Sequence, residues 1–217
     1  MNETVHPPYG HAEGLMDHAR IIKPVVSHAF SSLRRRFGGR DDSSVWFPVH
    51  PSRITHAQTG PPRWPFNQRG RIAEELAGSR LDGDWDRYVT PIQETNLYHG
   101  LRQRFVEGLD WNDTCLHPVS FKPQHPSLSA KYGELSEVKF LQTAHRLDLM
   151  FLSMMKYGYR AHDGVVANVG RDGKLIRNLG GMHRLVMSLI AGIEAIPVRI
   201  HVVHAQCAQS TEFRGPR

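Results

Sequence analysis

The sequence predicts an α+β fold in which a small mixed sheet packs with helices. Strand-like apolar runs at 165–169, 175–177 and 196–203 predict the sheet. Apolar residues at helical spacing predict the two main helices, at 95–108 and 134–157. From the second helix onward the predicted order is helix, strand, hairpin turn, strand, glycine loop, short helix and strand.

Length and composition are those of an ordinary soluble protein. The 217 residues can bury one core, or one domain with an extension, and apolar (40%) and charged (22%) residues occur at typical levels. No apolar run is long enough for a membrane span, and the N-terminus lacks the apolar core of a secretory signal. We therefore expect a cytoplasmic protein in which Cys115 and Cys207 are reduced thiols.

Residues 1–70 are predicted to form an N-terminal extension with one amphipathic helix, at about 24–37, and an irregular linker. Pro24 suits the first helical turn, and Gly38-Gly39 stop the helix after three arginines. Such a helix docks on the body of the protein or on another subunit, or it makes peripheral contact with a membrane. Residues 38–70 contain five prolines and are typical of an irregular connection with short extended pieces.

Residues 71–205 are predicted to form the main domain, followed by a tail at 206–217. The stretch from Arg71 to Leu81 fits either a short helix or a strand-to-loop passage. Asp82–Asp86 then forms an acidic turn around a large aromatic side chain, Trp85.

One charged residue of the helix at 134–157 is flanked by apolar side chains. Asp148 stands between Leu147 and Leu149, so its carboxylate is expected to be partly buried and to need a partner. The pattern predicts a structural ion pair with an arginine, and a polar contact in a pocket is the other interpretation.

The last third of the chain has the clearest pattern. Val165–Val169 is a predicted strand, the Asp172-Gly173 pair is typical of a hairpin turn, and Leu175–Arg177 is the returning strand. A helix from His183 to Ala191 follows, and Ile196–Val203 is the closing strand.

Between the returning strand and this helix lies the segment Gly180-Gly181-Met182-His183-Arg184-Leu185. Its two glycines allow the backbone to approach a ligand closely. His183 and Arg184 stand at a helix N-terminus, where free N–H groups and the helix dipole favour an anion. The segment therefore predicts a phosphate site. The other interpretation is a tight turn with a helix cap, in which both side chains bond to nearby carbonyls.

Together these motifs resemble the ParB/sulfiredoxin-like fold over residues 134–204. The resemblance rests on a helix ending in Lys-Tyr-Gly-Tyr, the hairpin, the glycine loop with its short helix, and the Ile-Pro-Val-Arg strand. Gly180–Arg184 is similar to the Gly-Gly-Cys-His-Arg of sulfiredoxins and to the Asp-Gly-x-His-Arg of ParB-like free amino-acid kinases. Gly83–Asp86 is similar to a segment of an uncharacterised branch of the same fold. The resemblance implies that nucleotide phosphates are bound by Gly180, Gly181, His183 and Arg184.

Two departures from the family narrow what the resemblance implies. Met182 stands in place of the reactive cysteine of sulfiredoxins, and a thioether forms no thiolate, so sulfiredoxin chemistry is not expected. Gly180 stands where the kinases have an aspartate. A metal ligand or general base must then come from elsewhere, and the candidates are Asp84, Asp86 and Asp148.

The acidic turn and the histidines bear on whether a metal is bound. In one interpretation, Asp84 or Asp86 lies beside the phosphates and holds Mg²⁺ or accepts a hydroxyl proton. In the other, the whole turn is solvated and is anchored by a buried Trp85. His201 and His204 are predicted on opposite faces of a strand, and no zinc signature is present. No structural zinc site is therefore predicted.

The sequence therefore predicts a nucleotide- or phosphate-binding protein, with phosphotransfer from ATP or ADP to a small hydroxyl substrate as its candidate activity. The candidate catalytic residues are Asp84, Asp86 and His183, and the cofactor is ATP or another nucleotide, with Mg²⁺.

The alternative is a non-catalytic ParB-like module that docks a protein, a membrane or a nucleic acid. The net charge of +6 permits nucleic-acid binding. Because no helix-turn-helix domain like that of ParB proteins is predicted, nucleic acid is not the expected partner. Homo-oligomer formation stays open.

Overall fold

The fold is given by a computed structural model, which describes residues 46–122, 132–160 and 164–209. The predicted helix at 24–37 and most of the predicted tail lie outside these residues. Within them, no helix has both the length and the apolar character needed to cross a membrane.

The described residues form one mixed sheet. Its seven strands are β1 (Phe47–Val49), β2 (Ile54–Gln58), β3 (Arg80–Leu81), β4 (Val89–Pro91), β5 (Val165–Val169), β6 (Leu175–Leu179) and β7 (Ile196–His204). The order across the sheet is β1-β7-β5-β6-β2-β4, and β3 pairs with the carboxyl end of β7. Strand β2 runs parallel to β6, and β5 and β3 run parallel to β7, whereas the other pairs are antiparallel. The mixed sheet, with its helices, agrees with the predicted α+β class.

Three α-helices accompany the sheet in the described part of the chain: α1 (Asn96–Phe105), α2 (Glu137–Tyr157) and α3 (Met182–Ile190). The hydroxyl of Thr95 accepts a hydrogen bond from the Tyr98 N–H at 3.2 Å and so begins α1. Helix α2 ends at Gly158, whose φ of +71° is accessible to glycine but rarely to other residues. Both predicted helices are present, with slightly shorter bounds.

The segment predicted as an irregular linker contributes β1 and β2 to the sheet. Pro48 lies within β1, where proline is tolerated because β1 is the edge strand beside β7. Strand β2 lies inside the sheet, between β6 and β4, but its register with β6 shifts between Ile54 and His56. This shift removes the simple alternation by which a strand is recognised in sequence. The predicted boundary at residue 71 therefore falls after two strands of this same sheet.

The acidic turn is anchored in a hydrophobic core cluster. Trp85 is 2% exposed, and its indole N–H donates to the Leu81 carbonyl at 3.2 Å. Its core cluster consists of Phe66, Ile72, Leu81, Trp85, Ile176 and Val202. The buried Trp85 ties residues 82–86 to the sheet.

Asp148 joins α2 to α1, as a structural ion pair. The Nε atom of Arg104 lies 3.1 Å from one carboxylate oxygen of Asp148. The indole N–H of Trp111 donates to the other oxygen at 3.0 Å. The predicted pairing with an arginine is confirmed, and it gives Asp148 a role in holding the two helices together.

Candidate functional site

The candidate site lies where two parallel strands end. Ala57 of β2 pairs with Arg177 of β6, so the residues that follow both strands leave the sheet at the same edge. Ligands of sheets with parallel strands commonly bind beyond the carboxyl ends of those strands. Here the Gly180-Gly181 loop follows β6 and leads directly into α3.

Both loop glycines have left-handed backbone conformations, but their surroundings differ. The φ angles are +62° for Gly180 and +61° for Gly181. A Cβ atom at Gly181 would lie 2.9 Å from Val165 Cγ2 and 3.1 Å from the Gly164 carbonyl oxygen. A Cβ atom at Gly180 would have its nearest neighbour 3.8 Å away. Gly181 is therefore required by close packing against β5, whereas open space lies beside Gly180.

The first turn of α3 presents the two predicted ligand-binding side chains. Gly181 is the N-terminal cap, and its carbonyl accepts the Leu185 N–H at 2.7 Å. Earlier N–H groups of a helix have no carbonyl partner within the helix, and the helix dipole adds positive potential there. His183 and Arg184, both half-buried, lie within this turn. The structure thus brings the four predicted phosphate-binding residues together at one helix N-terminus.

His183 is held by a buried tyrosine from a distant part of the chain. The hydroxyl of Tyr132 lies 2.7 Å from Nε2 of His183, and Tyr132 is 1% exposed. Burial raises the pKa of Tyr132 well above its ordinary value, so the phenol stays protonated at neutral pH. This contact orients the imidazole on the first turn of α3.

Two buried arginines, which sequence reasoning missed, lie beside the loop. Arg177 is 8% exposed, and its Nε donates to the Gly180 carbonyl at 3.0 Å. Arg71 is 7% exposed and donates to the Gln58 carbonyl at the end of β2. Burial lowers the pKa of Arg71 to about 10, and burial together with the charge of Arg71 lowers that of Arg177 to about 9. Both guanidinium groups remain cationic at neutral pH.

A sequence signal for Arg177 existed. It interrupts an apolar strand, Leu175-Ile176-Arg177-Asn178-Leu179, in which the first four residues are all buried. A charged residue at such a position needs a partner or a ligand. Arg71 had no comparable signal, because it does not interrupt an apolar run in the sequence.

The two predicted catalytic aspartates lie at the opposite end of β6. Asp86 contacts the hairpin turn that precedes β6: the backbone N–H of Arg171 donates to Asp86 at 2.9 Å. Gly180 follows the other end of this strand, and five strand residues span roughly 13 Å. The structure does not bring Asp84 and Asp86 together with the glycine loop.

Arg171 forms ion pairs with both aspartates. The Nη2 atom of this arginine lies 2.7 Å from Asp84 and 2.7 Å from Asp86. Burial would raise the pKa of Asp86, but the hydrogen bonds from Arg171 and the electrostatic attraction of His204 and Arg171 outweigh it, and the pKa lies below its ordinary value. Arg87 Nε lies 3.4 Å from Asp84 as well, so two guanidinium groups balance the two carboxylates. The contacts of Arg171 tie the acidic turn to the hairpin.

The histidines of β7 have structural partners. Nε2 of His201 donates to the Ala73 carbonyl at 2.9 Å, and Nε2 of His204 lies 2.7 Å from the Gly83 carbonyl. In the described part of the chain, no group of three or more His, Cys, Asp or Glu side chains is placed to hold a metal ion.

Comparison of the chain with protein-family models, curated proteins and solved structures gave no significant match.

Proposed function

We propose that the protein binds a nucleotide through its phosphates at Gly180–Arg184, on a core of ParB/sulfiredoxin-like type. The single observation that carries the proposal is the pair of left-handed glycines directly before α3, with Arg177 bonded to the first of them. This arrangement places backbone N–H groups, the helix dipole and cationic side chains at one point. Arg184 would clamp a phosphate with two N–H groups, and His183 would donate a further hydrogen bond.

Binding is better supported than phosphotransfer. A phosphotransferase needs a group that positions Mg²⁺ or accepts the hydroxyl proton near the transferred phosphate. The predicted candidates, Asp84 and Asp86, lie at the far end of β6 and are paired with Arg171. Asp148 is paired with Arg104. Mg²⁺ would accordingly arrive with the nucleotide, coordinated by its phosphates.

Gly180 offers a sharp test of anion binding, because its surroundings leave space for a side chain. Asparagine and aspartate have nearly the same shape, and both tolerate the left-handed conformation. They differ by one negative charge at the proposed phosphate site. We expect Gly180→Asn to keep nucleotide affinity within about threefold, and Gly180→Asp to weaken it by at least about tenfold.

The measurement is the melting temperature and the dissociation constant of the full chain with ATP, ADP and CTP, with and without Mg²⁺. A ligand that binds the folded state raises the melting temperature. Arg184→Ala is expected to weaken binding by at least about tenfold. The proposal is wrong if no nucleotide raises the melting temperature, or if the two Gly180 variants bind equally well.

A turnover assay separates the two functional classes. The nucleotide that binds is incubated with a panel of small hydroxyl compounds, and transfer of its terminal phosphate is followed. Binding without transfer supports the non-catalytic module, whereas transfer would identify a phosphotransferase whose base lies outside the aspartates already considered.

A further inference from the structure

Among the described residues, the two buried arginines beside the glycine loop have no anionic partner. Nη1 of Arg177 is buried and has no hydrogen-bond partner, and Nε of the same side chain bonds to the Gly180 carbonyl. Arg71 bonds to a neutral carbonyl, that of Gln58. No carboxylate in the described residues forms an ion pair with either arginine.

Contacts of the neighbouring residues fix the position of this arginine pair. The side chain of Asn178 accepts the Ile72 N–H at 2.8 Å and donates to the Ile72 carbonyl at 3.2 Å. This double contact fixes the residue after Arg71 against the strand that carries Arg177. Across the sheet, Arg177 is flanked by Ala57 and Ala167, two small buried side chains that leave room for a guanidinium group.

Two neighbouring cations with a buried, unpaired donor are unfavourable without an anion. Burial disfavours each charge, and the two charges repel each other. By contrast, Arg171, in the hairpin turn that precedes β6, has two carboxylate partners. Arg104, which joins two helices, likewise has the carboxylate partner Asp148, whereas the described residues give neither Arg71 nor Arg177 such a partner.

We propose that Arg71 and Arg177 form an inner anion subsite, which takes the dianionic terminal phosphate of a phosphomonoester or nucleotide. The inference rests on the proposed function, because the same loop admits the ligand: Gly180 is exposed, with open space beside it. A phosphodiester carries one negative charge and two substituents. A diester therefore cannot neutralise both arginines, and it has no unsubstituted phosphate end to offer them. The subsite accordingly selects against phosphodiesters, including the backbone of a nucleic acid.

The experiment compares 5′-AMP with 3′,5′-cyclic AMP, which share the base and sugar but differ in the charge and substitution of the phosphate. Dissociation constants are measured for the full chain by calorimetry in a buffer without phosphate or sulfate. We expect 5′-AMP to bind at least about tenfold more tightly, since a charge-assisted hydrogen bond contributes on that order. Arg177→Met and Arg71→Met should each reduce this ratio to within about threefold.

Arg63→Met is the matched control, because it removes the same charge from an exposed position. It should leave the ratio unchanged. Arg177→Met without ligand should melt no lower than the unmodified protein, since it removes an unpaired buried charge. If Arg177→Met fails to fold, that outcome contradicts the inference, because it makes the arginine a structural requirement.

The outcomes also separate this inference from the proposed function. Equal binding of the two nucleotides, or an unchanged ratio in both arginine variants, contradicts the inner subsite alone. Failure of 5′-AMP, ATP and inorganic phosphate to bind at all contradicts both proposals.

Discussion

Arg171 donates three hydrogen bonds to the carboxylate of Asp86: from its backbone N–H at 2.9 Å, from Nε at 2.9 Å and from Nη2 at 2.7 Å. The contact joins the hairpin turn between β5 and β6 to the acidic turn that carries Trp85. The side chain of Asp86, which the sequence predicted as catalytic, is only 6% exposed and is paired with this arginine. Asp86 belongs to the framework of the fold.

Asp86→Asn is expected to destabilise the protein by about 2–3 kcal/mol at pH 7, because Arg171 loses its buried counter-charge. Asp84→Asn is the matched control. Asp84 also contacts Arg171, but its side chain is 59% exposed, and surface pairs contribute about 1 kcal/mol or less. Urea unfolding of both variants measures the difference, and equal losses would contradict the structural role of Asp86.

The same pair gives a pH dependence with a definite sign. The pKa of Asp86 lies below its ordinary value of 3.8 in the folded protein, so the unfolded chain takes up the proton first as the pH falls. The stability that Asp86 contributes is therefore complete above about pH 5 and is lost as the pH falls through 3.8 towards the folded-state pKa. Melting temperatures measured from pH 6 down to pH 3 should fall less steeply for Asp86→Asn than for the unmodified protein.

The parts of the fold that depend on local sequence were predictable. The Asp172-Gly173 turn specifies the β5–β6 hairpin, and Gly158 ends α2, because each depends on residues close in the chain. The apolar neighbours of Asp148 in the sequence predicted that its carboxylate would be partly buried and would need a partner. The identity of that partner, Arg104, depends on how α1 packs against α2 and could not be deduced from spacing.

The parts that depend on long-range pairing were not predictable. Strand β2 joins the sheet beside β6, although the two strands lie far apart in the sequence. This pairing brings Arg71, which bonds to Gln58 at the end of β2, close to Arg177 of β6. The contact between Asp86 and Arg171, also far apart in the sequence, places the acidic turn at the opposite end of β6. Local sequence patterns therefore predicted the Gly180–Arg184 loop but missed its buried arginines. Of the two interpretations of the acidic turn, the one anchored by a buried Trp85 agrees with the structure, and the one that places Asp84 or Asp86 beside the loop does not.

The two loop glycines should respond differently to the same substitution. Gly180→Ala introduces a left-handed alanine into open space and should cost about 1 kcal/mol. Gly181→Ala has the same backbone cost and also a contact of 2.9 Å with Val165, so about 2–4 kcal/mol is expected. Urea denaturation of the two variants provides the comparison, in which each serves as the control for the other. Equal losses would mean that α3 shifts freely away from β5.

Tyr132→Phe tests whether the orientation of His183 matters for the ligand. The substitution keeps the buried ring and removes the hydroxyl that lies 2.7 Å from the imidazole Nε2. We expect a stability loss of about 1 kcal/mol and an affinity for the bound nucleotide that is about three- to tenfold weaker, because the imidazole loses one of its contacts. His183→Ala in the Tyr132→Phe background completes a double-mutant cycle. If Tyr132 acts through His183, the tyrosine substitution should have no further effect on affinity once the histidine is gone. An effect of the same size in both backgrounds would place Tyr132 outside the ligand site.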